Sequence, residues 1–176
     1  MNFKDIFLLP NLITLTRFFT SIALFIYFTP DMFSVPTLVI VVTLIGLSDS
    51  LDGIVARKFN LVSKLGTILD PFTDRVVFII LLFWLNAYVP SEILYSILIR
   101  EMLVLIGSLY VLITGAKIQV SNKGKLGTVL LFITVCLFII NSSFTVPFLT
   151  QIAVLVIIFY FYVAIEYLYN LIYKSG

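Results

Sequence analysis

Six ionisable residues lie where an otherwise apolar sequence should hold none: Asp49, Asp52, Arg57, Asp70, Asp74 and Arg75. Asp49, Asp52, Gly53 and Ala56 are spaced i, i+3, i+4 and i+7, which is one face of a helix. Gly66, Asp70 and Asp74 recur at intervals of four and line one face of a second helix. A short turn between the two helices would set four carboxylates opposite one another. Such a group, poorly solvated, cannot stay ionised unless a cation neutralises it. Ligation by oxygen alone suits Mg²⁺, Mn²⁺ or Ca²⁺. Gly53 and Gly66 remove side chains where a ligand or a neighbouring backbone must come close. Two other readings stay open at this point. The aspartates could pair with Arg57, Arg75 and Arg100 as structural ion pairs. They could also line a divalent-cation transporter, which accounts for the carboxylates but not for the glycines or the Arg at the helix end.

The elements that carry these residues follow from composition. Of 176 residues, 61% are hydrophobic and 11% charged, and the mean hydropathy is +1.18. Soluble domains run at about 45–50% apolar and about 25% charged, so the sequence predicts an all-α integral membrane protein. Eight Gly, six Pro and one Cys exclude collagenous and disulfide-stapled chains. The absence of His excludes imidazole-based triads and His-ligated zinc or haem. A net charge of +2 without basic clustering gives no reason to expect a nucleic-acid partner. A bilayer core needs roughly 20 apolar residues per helix. Six stretches meet or approach that: 11–29, 36–58, 66–88, 91–114, 125–142 and 146–172. Arg17 and the lack of a cleavage site argue against a removable signal peptide in the first. Thr29-Pro30, Pro36, Pro90, Gly124 and Pro147 are expected to break the helices, and residues 1–176 to form a single membrane domain.

Basic residues then set the orientation. The connections at 30–35, 89–91 and 143–145 contain no Lys or Arg. Lys4, Arg57, Lys58, Lys64, Lys117, Lys123, Lys125 and Lys174 lie at the opposite ends. Both termini, and a polar cavity, are therefore expected to face the cytoplasm, with the chain crossing the cell membrane six times. The 17 Phe and nine Tyr are expected to be lipid-facing or interfacial, with Tyr160 to Tyr173 as an interface belt.

From Asp49 the chain reads D-S-L-D-G-I-V-A-R, then eight residues, then G-T-I-L-D-P-F-T-D. This resembles the signature of the CDP-alcohol phosphotransferases, D-x2-D-G-x2-A-R-x8-G-x3-D-x3-D, with every fixed position present. The resemblance implies a six-helix membrane enzyme that passes the phosphatidyl group of CDP-diacylglycerol to an alcohol and releases CMP, typically as a homodimer. It implies that Asp49, Asp52, Asp70 and Asp74 hold Mg²⁺ or Mn²⁺, and that Asp74 is the base that takes the acceptor's hydroxyl proton. Asp52, Gly53, Ala56, Arg57 and Gly66 match positions that cradle cytidine and its phosphates, the guanidinium offering paired donors. The opening P-N-L-I-T-L-T-R (Pro10 to Arg17) also resembles bacterial members. Asn11 and Thr14 would then reach the nucleotide, and Arg17 would balance the acidic cluster. Helix capping and snorkelling account for the same three residues equally well.

The acceptor is read from finer resemblance. The Asp block, I-R-E at Ile99 to Glu101 and I-E-Y-L-Y at Ile165 to Tyr169 are similar to the phosphatidylglycerophosphate synthases, which use glycerol 3-phosphate. Arg100, Lys123 and Lys125 are the cations that would take its phosphate, with Glu101 beside Arg100. Lys117 suits a positive-inside loop on anionic lipid. Two positions depart from that branch: Ser108 stands where a second Arg is usual, and Gly127 where a Lys is usual. Each charge-assisted phosphate contact contributes about 1.5–3 kcal/mol. The stretch R-E-M-L-V-L-I-G-S-L-Y-V-L with K-L-G-T resembles the cardiolipin synthases of the same family, whose acceptor is phosphatidylglycerol. Inositol phosphate and serine are further alcohols in the family.

Overall fold

The computed structural model describes the backbone of residues 8–58, 64–114 and 122–173, and the side chains of 8, 11–47, 72–107, 123–166 and 169. Its elements are α1 (Leu9–Tyr27), a 3₁₀ turn (Pro30–Met32), α2 (Val35–Lys58), α3 (Lys64–Trp84), α4 (Ser91–Thr114), α5 (Asn122–Asn141) and α6 (Leu149–Tyr173). Each expected apolar stretch holds one helix, and the differences lie at the ends. The third stops at Trp84 rather than 88, giving way to a turn before Pro90. Gly124 does not break a helix: it sits in the first turn of α5, where backbone N–H groups lack intrahelical partners anyway. The sixth begins at Leu149, because Pro147 and then Phe148, in the left-handed region at φ 58°, precede it. Among the described residues, Lys123–Asn141 and Leu149–Glu166 are long and apolar enough to cross a membrane, while Asn11–Tyr27 and Val35–Leu47 are shorter apolar stretches.

The chain forms two compact units, Met1–Leu85 and Asn86–Gly176. In the first, α1 packs against both α2 and α3. Leu8 caps α1 through its backbone, and Pro10 sits in the first turn, where its fixed φ suits helix entry. Two ties fix α1 along α3. The Arg17 guanidinium pairs with the Asp74 carboxylate, and the Trp84 indole donates to the Phe28 carbonyl at 2.8 Å. The ties are 11 residues apart on α1's side and 10 on α3's, or about 16 Å and about 15 Å of helix rise. Equal advance in the same chain direction means that α1 and α3 run parallel. The rings of Phe25 and Phe33, with centroids 5.3 and 6.1 Å from that of Trp84, close this end.

In the second unit α6 packs against both α4 and α5. Ile97, Leu131, Val135, Ile139, Ala153 and Val163 are among its buried apolar residues. Beside their apolar cores, both units bury polar side chains and expose large apolar ones. Asn11, Thr14, Ser21, Thr73, Arg100, Glu101 and Thr134 are buried, while Phe19, Leu44, Ile106, Leu155 and Ile158 are exposed. Apolar area on this scale is solvated comfortably by lipid rather than water.

Candidate active site

Each site-bearing helix carries a buried stripe among its described residues. On α2, Leu38 and Val42 are fully buried, and their register of three and four residues continues through positions 45, 49, 52 and 56. Asp49 and Asp52 thus share the helical register of Leu38 and Val42. On α3, Thr73, Val77 and Leu81 are buried, and the same line runs back to position 70. On α1 the stripe is polar, with Asn11, Thr14 and Ser21 buried and Arg17 on the same face. The capping alternative for Asn11 does not hold, since Leu8 occupies the cap and no side chain caps α1.

Asp74 stands at the meeting of two of these stripes, held by Arg17 across 57 residues of sequence. Their side chains are 29% and 8% exposed respectively, so the guanidinium is well inside and the carboxylate reaches outward. A long cation snorkelling to an interface would show the opposite pattern, and the carboxylate that Arg17 meets among the described residues is Asp74. Arg17→Gln is expected to destabilise the protein by about 1–3 kcal/mol, below the roughly 3–5 of a fully buried pair because Asp74 keeps solvent contact. Thermal unfolding in detergent measures this.

Asp49, Asp52, Gly53, Ala56, Arg57, Gly66 and Asp70 lie on the described helices, while their side chains lie outside the described set. Among the described residues no group of three potential metal ligands occurs, Asp74 being the quartet's one member there. The donor set nonetheless suits a hard divalent cation: carboxylate oxygens only, two aligned in register on each of two helices, with Arg17 supplying one compensating charge.

The acceptor candidates lie in the second unit. Arg100 is 4% exposed and Glu101 0%. Consecutive helical residues point about 100° apart and do not face each other, so their pairing needs a third group. Tyr160 of α6 supplies it. Arg100 Nη1 donates to Glu101 Oε1 at 3.0 Å, the Tyr160 hydroxyl donates to the same oxygen, and the guanidinium carbon lies 3.5 Å from the Tyr160 ring centroid. Tyr160 is itself buried, so the interface belt expected from Tyr160 to Tyr173 does not begin there. One tyrosine in an aromatic-rich helix carried no signal in the sequence that could have singled it out. Gly127 is the counterpart of that placement: a Cβ there would lie 2.9 Å from Tyr160 Cδ2. Gly127→Ala should therefore lower stability by about 1–3 kcal/mol through overpacking, against the roughly 1 kcal/mol that alanine normally gains over glycine in a helix. A fall in the unfolding temperature checks this.

Lys123 is bound by both oxygens of Glu166, at 2.9 and 3.0 Å, and lies 5.6 Å from the Tyr162 ring centroid. Exposed pairs of this kind contribute at most about 1 kcal/mol, so a phosphate can compete for the ammonium. Lys125 is exposed on the same helix. Lys117 and the Ser108 side chain lie outside the described residues.

The profile of the CDP-alcohol phosphatidyltransferase family matches residues 7–166. The chain is 34% identical over 132 residues to a CDP-diacylglycerol–glycerol-3-phosphate 3-phosphatidyltransferase of Aquifex aeolicus (strain VF5), covering 73% of this chain and 72% of that protein. It is 32% identical over 113 residues to the CMP-forming cardiolipin synthase of Rattus norvegicus, covering 62% of this chain and 37% of that protein. A cardiolipin synthase/mitochondrial hydrolase fusion protein of Schizosaccharomyces pombe matches at 34% over 74 residues, or 42% of this chain and 12% of that protein.

Proposed function

Because the chain belongs to the CDP-alcohol phosphatidyltransferase family, we propose that it transfers the phosphatidyl group of CDP-diacylglycerol to glycerol 3-phosphate, giving phosphatidylglycerophosphate and CMP. The chain is a phosphatidyltransferase of a membrane-embedded family that is generally dependent on divalent metal. Similarity to the Aquifex protein over nearly three quarters of both chains carries the choice of acceptor. Mg²⁺ or Mn²⁺ is the proposed ion, held by Asp49, Asp52, Asp70 and Asp74. When bound it neutralises pyrophosphate oxygens and makes CMP a better leaving group.

The chain's own residues do the rest. Gly53, Ala56 and Gly66 leave room for the nucleotide, and Arg57 and Asp52 orient its phosphates and ribose side. Asn11 and Thr14, on the polar stripe of α1, lie on the face that carries Arg17 and contribute donors to the nucleotide. Asp74, its carboxylate oriented by Arg17, takes the proton from the acceptor's hydroxyl as that oxygen attacks the β-phosphorus. The P–O bond to CMP breaks and CMP leaves as the phosphate anion. One candidate base and no separate nucleophile favour direct transfer. Arg100, Lys123 and Lys125 take the acceptor's phosphate.

In the membrane, the six helices span with both termini and the cavity on the cytoplasmic side of the cell membrane. The connections at 28–34, 85–90 and 142–148, free of Lys and Arg, support this orientation. The enzyme acts as a homodimer, as its family does. The test of acceptor is the lipid product: with glycerol 3-phosphate supplied, mass spectrometry should find phosphatidylglycerophosphate, and finding none refutes the assignment.

A second reading has its own observation. Gly127 stands where the resemblance to phosphatidylglycerophosphate synthases would put a Lys, and Arg100 is engaged by Glu101, which suits an acceptor that presents less charge. Phosphatidylglycerol is that acceptor, and the rat cardiolipin synthase is the corresponding relative. Uptake of Mn²⁺ into proteoliposomes without CMP release would instead favour the transporter.

A further inference from the structure

The residues proposed above to meet the acceptor include one, Arg100, whose placement involves Tyr160, a residue that no resemblance assigns. The carboxylate partner of Arg100 is its chain neighbour, which helix geometry points elsewhere. The bridge is Tyr160, whose hydroxyl donates to Glu101 Oε1 and whose ring centroid lies 3.5 Å from the guanidinium Cζ. The ring occupies the space that a side chain on residue 127 would need, its Cδ2 standing 2.9 Å from an added Cβ. Four residues from three helices, α4, α5 and α6, thus form one unit: Arg100, Glu101, Gly127 and Tyr160.

We propose that Tyr160 is a positioning residue for Arg100, holding the guanidinium in the orientation that meets the phosphate of the acceptor, with Gly127 as the seat of its ring. The proposal rests on the acceptor role of Arg100. The chemistry recognised is an anionic phosphate oxygen next to a free hydroxyl, which glycerol 3-phosphate and phosphatidylglycerol both present. Two features of the geometry make the ring and hydroxyl effective. An aromatic ring at the guanidinium carbon limits where the group can lie, and a guanidinium recognises phosphate through paired N–H donors. A carboxylate oxygen shared with the tyrosine hydroxyl is weakened as a competitor for those groups, since its negative charge is divided between two donors.

The experiment uses the full chain in lipid nanodiscs with CDP-diacylglycerol and Mg²⁺ or Mn²⁺, reading CMP release in two arms, glycerol 3-phosphate and phosphatidylglycerol. Tyr160→Phe keeps the ring and removes the hydroxyl. In whichever arm the wild type works, it should raise the KM for the acceptor about tenfold, the scale of one hydrogen bond to a charged group. The KM for CDP-diacylglycerol and kcat should stay within about twofold of wild type, since neither depends on this contact. Arg100→Lys should raise the acceptor KM at least as far, and Tyr160→Phe added to Arg100→Lys should raise it no further. Gly127→Ala, which pushes the ring aside, should give the same signature.

If Arg100→Lys raises the acceptor KM and Tyr160→Phe does not, the positioning role is refuted while the acceptor role of Arg100 stands. If Arg100→Lys leaves the acceptor KM unchanged, the acceptor role and the proposal fall together. If Tyr160→Phe has the same effect with and without Arg100, or lowers kcat and stability alike for both substrates, Tyr160 is a packing residue and the proposal is wrong. Absence of CMP release in both arms also overturns it, along with the acceptor assignment.

Discussion

Asp74→Asn is expected to slow CMP release by ~10²–10⁴-fold, the range that a positioned general base contributes, while CDP-diacylglycerol still binds within about threefold of wild type. Asparagine keeps the volume and can still accept a hydrogen bond from Arg17, so the tie between α1 and α3 is loosened rather than removed. What disappears is the capacity to take a proton. Binding of the donor, measured with a non-reacting CDP analogue, and turnover should therefore separate. Near-normal turnover in this variant would move the base elsewhere. Loss of donor binding equal to the loss of turnover would make Asp74 chiefly a ligand-holding residue.

Asp49→Asn and Asp70→Asn should behave differently. Both positions share the registers of buried residues on α2 and α3, and both would supply carboxylate oxygen to the cation. Partners one step removed from a metal typically lower affinity or activity by about 10–100-fold when mutated, and a direct ligand should exceed that range. Activity should fall by more than about a hundredfold at ordinary Mg²⁺ or Mn²⁺ and recover in part as the metal concentration is raised. Titration of activity against metal makes the distinction, since in Asp74→Asn added metal should restore only the ligand's share of the loss and leave the ~10²-fold or larger loss of the base. Variants of Asp49 and Asp70 that lose activity without any shift in metal requirement would remove both from the ion.

These expectations show which features could be read from the chain and which could not. Helices and their order came from hydrophobic runs long enough to dominate everything else, and the breaks at Pro30, Pro90 and Pro147 came from proline's missing donor. Gly124 misled because its effect depends on position: in a helix interior it weakens, in a first turn it hardly matters. The Asp motif was legible because its spacing matches helical register, a local property. Arg17's partner was not, because it lies 57 residues away and is fixed by how α1 lies along α3. Tyr160 was less legible still. Nothing in an aromatic-rich helix distinguishes one tyrosine from the next until its ring is found over Arg100 and against Gly127. That contact also changes the meaning of Gly127. Read alone, the glycine is a missing cation; packed, it is the space that a buried tyrosine requires.

The central claim is transfer of a phosphatidyl group from CDP-diacylglycerol to glycerol 3-phosphate, and the direct measurement is CMP release by purified protein with acceptors supplied one at a time. With Mg²⁺ or Mn²⁺ present, release should require glycerol 3-phosphate and stop when the metal is chelated. Release with phosphatidylglycerol and none with glycerol 3-phosphate would contradict that claim, and would make the glycine at 127 and the serine at 108 marks of a lipid acceptor.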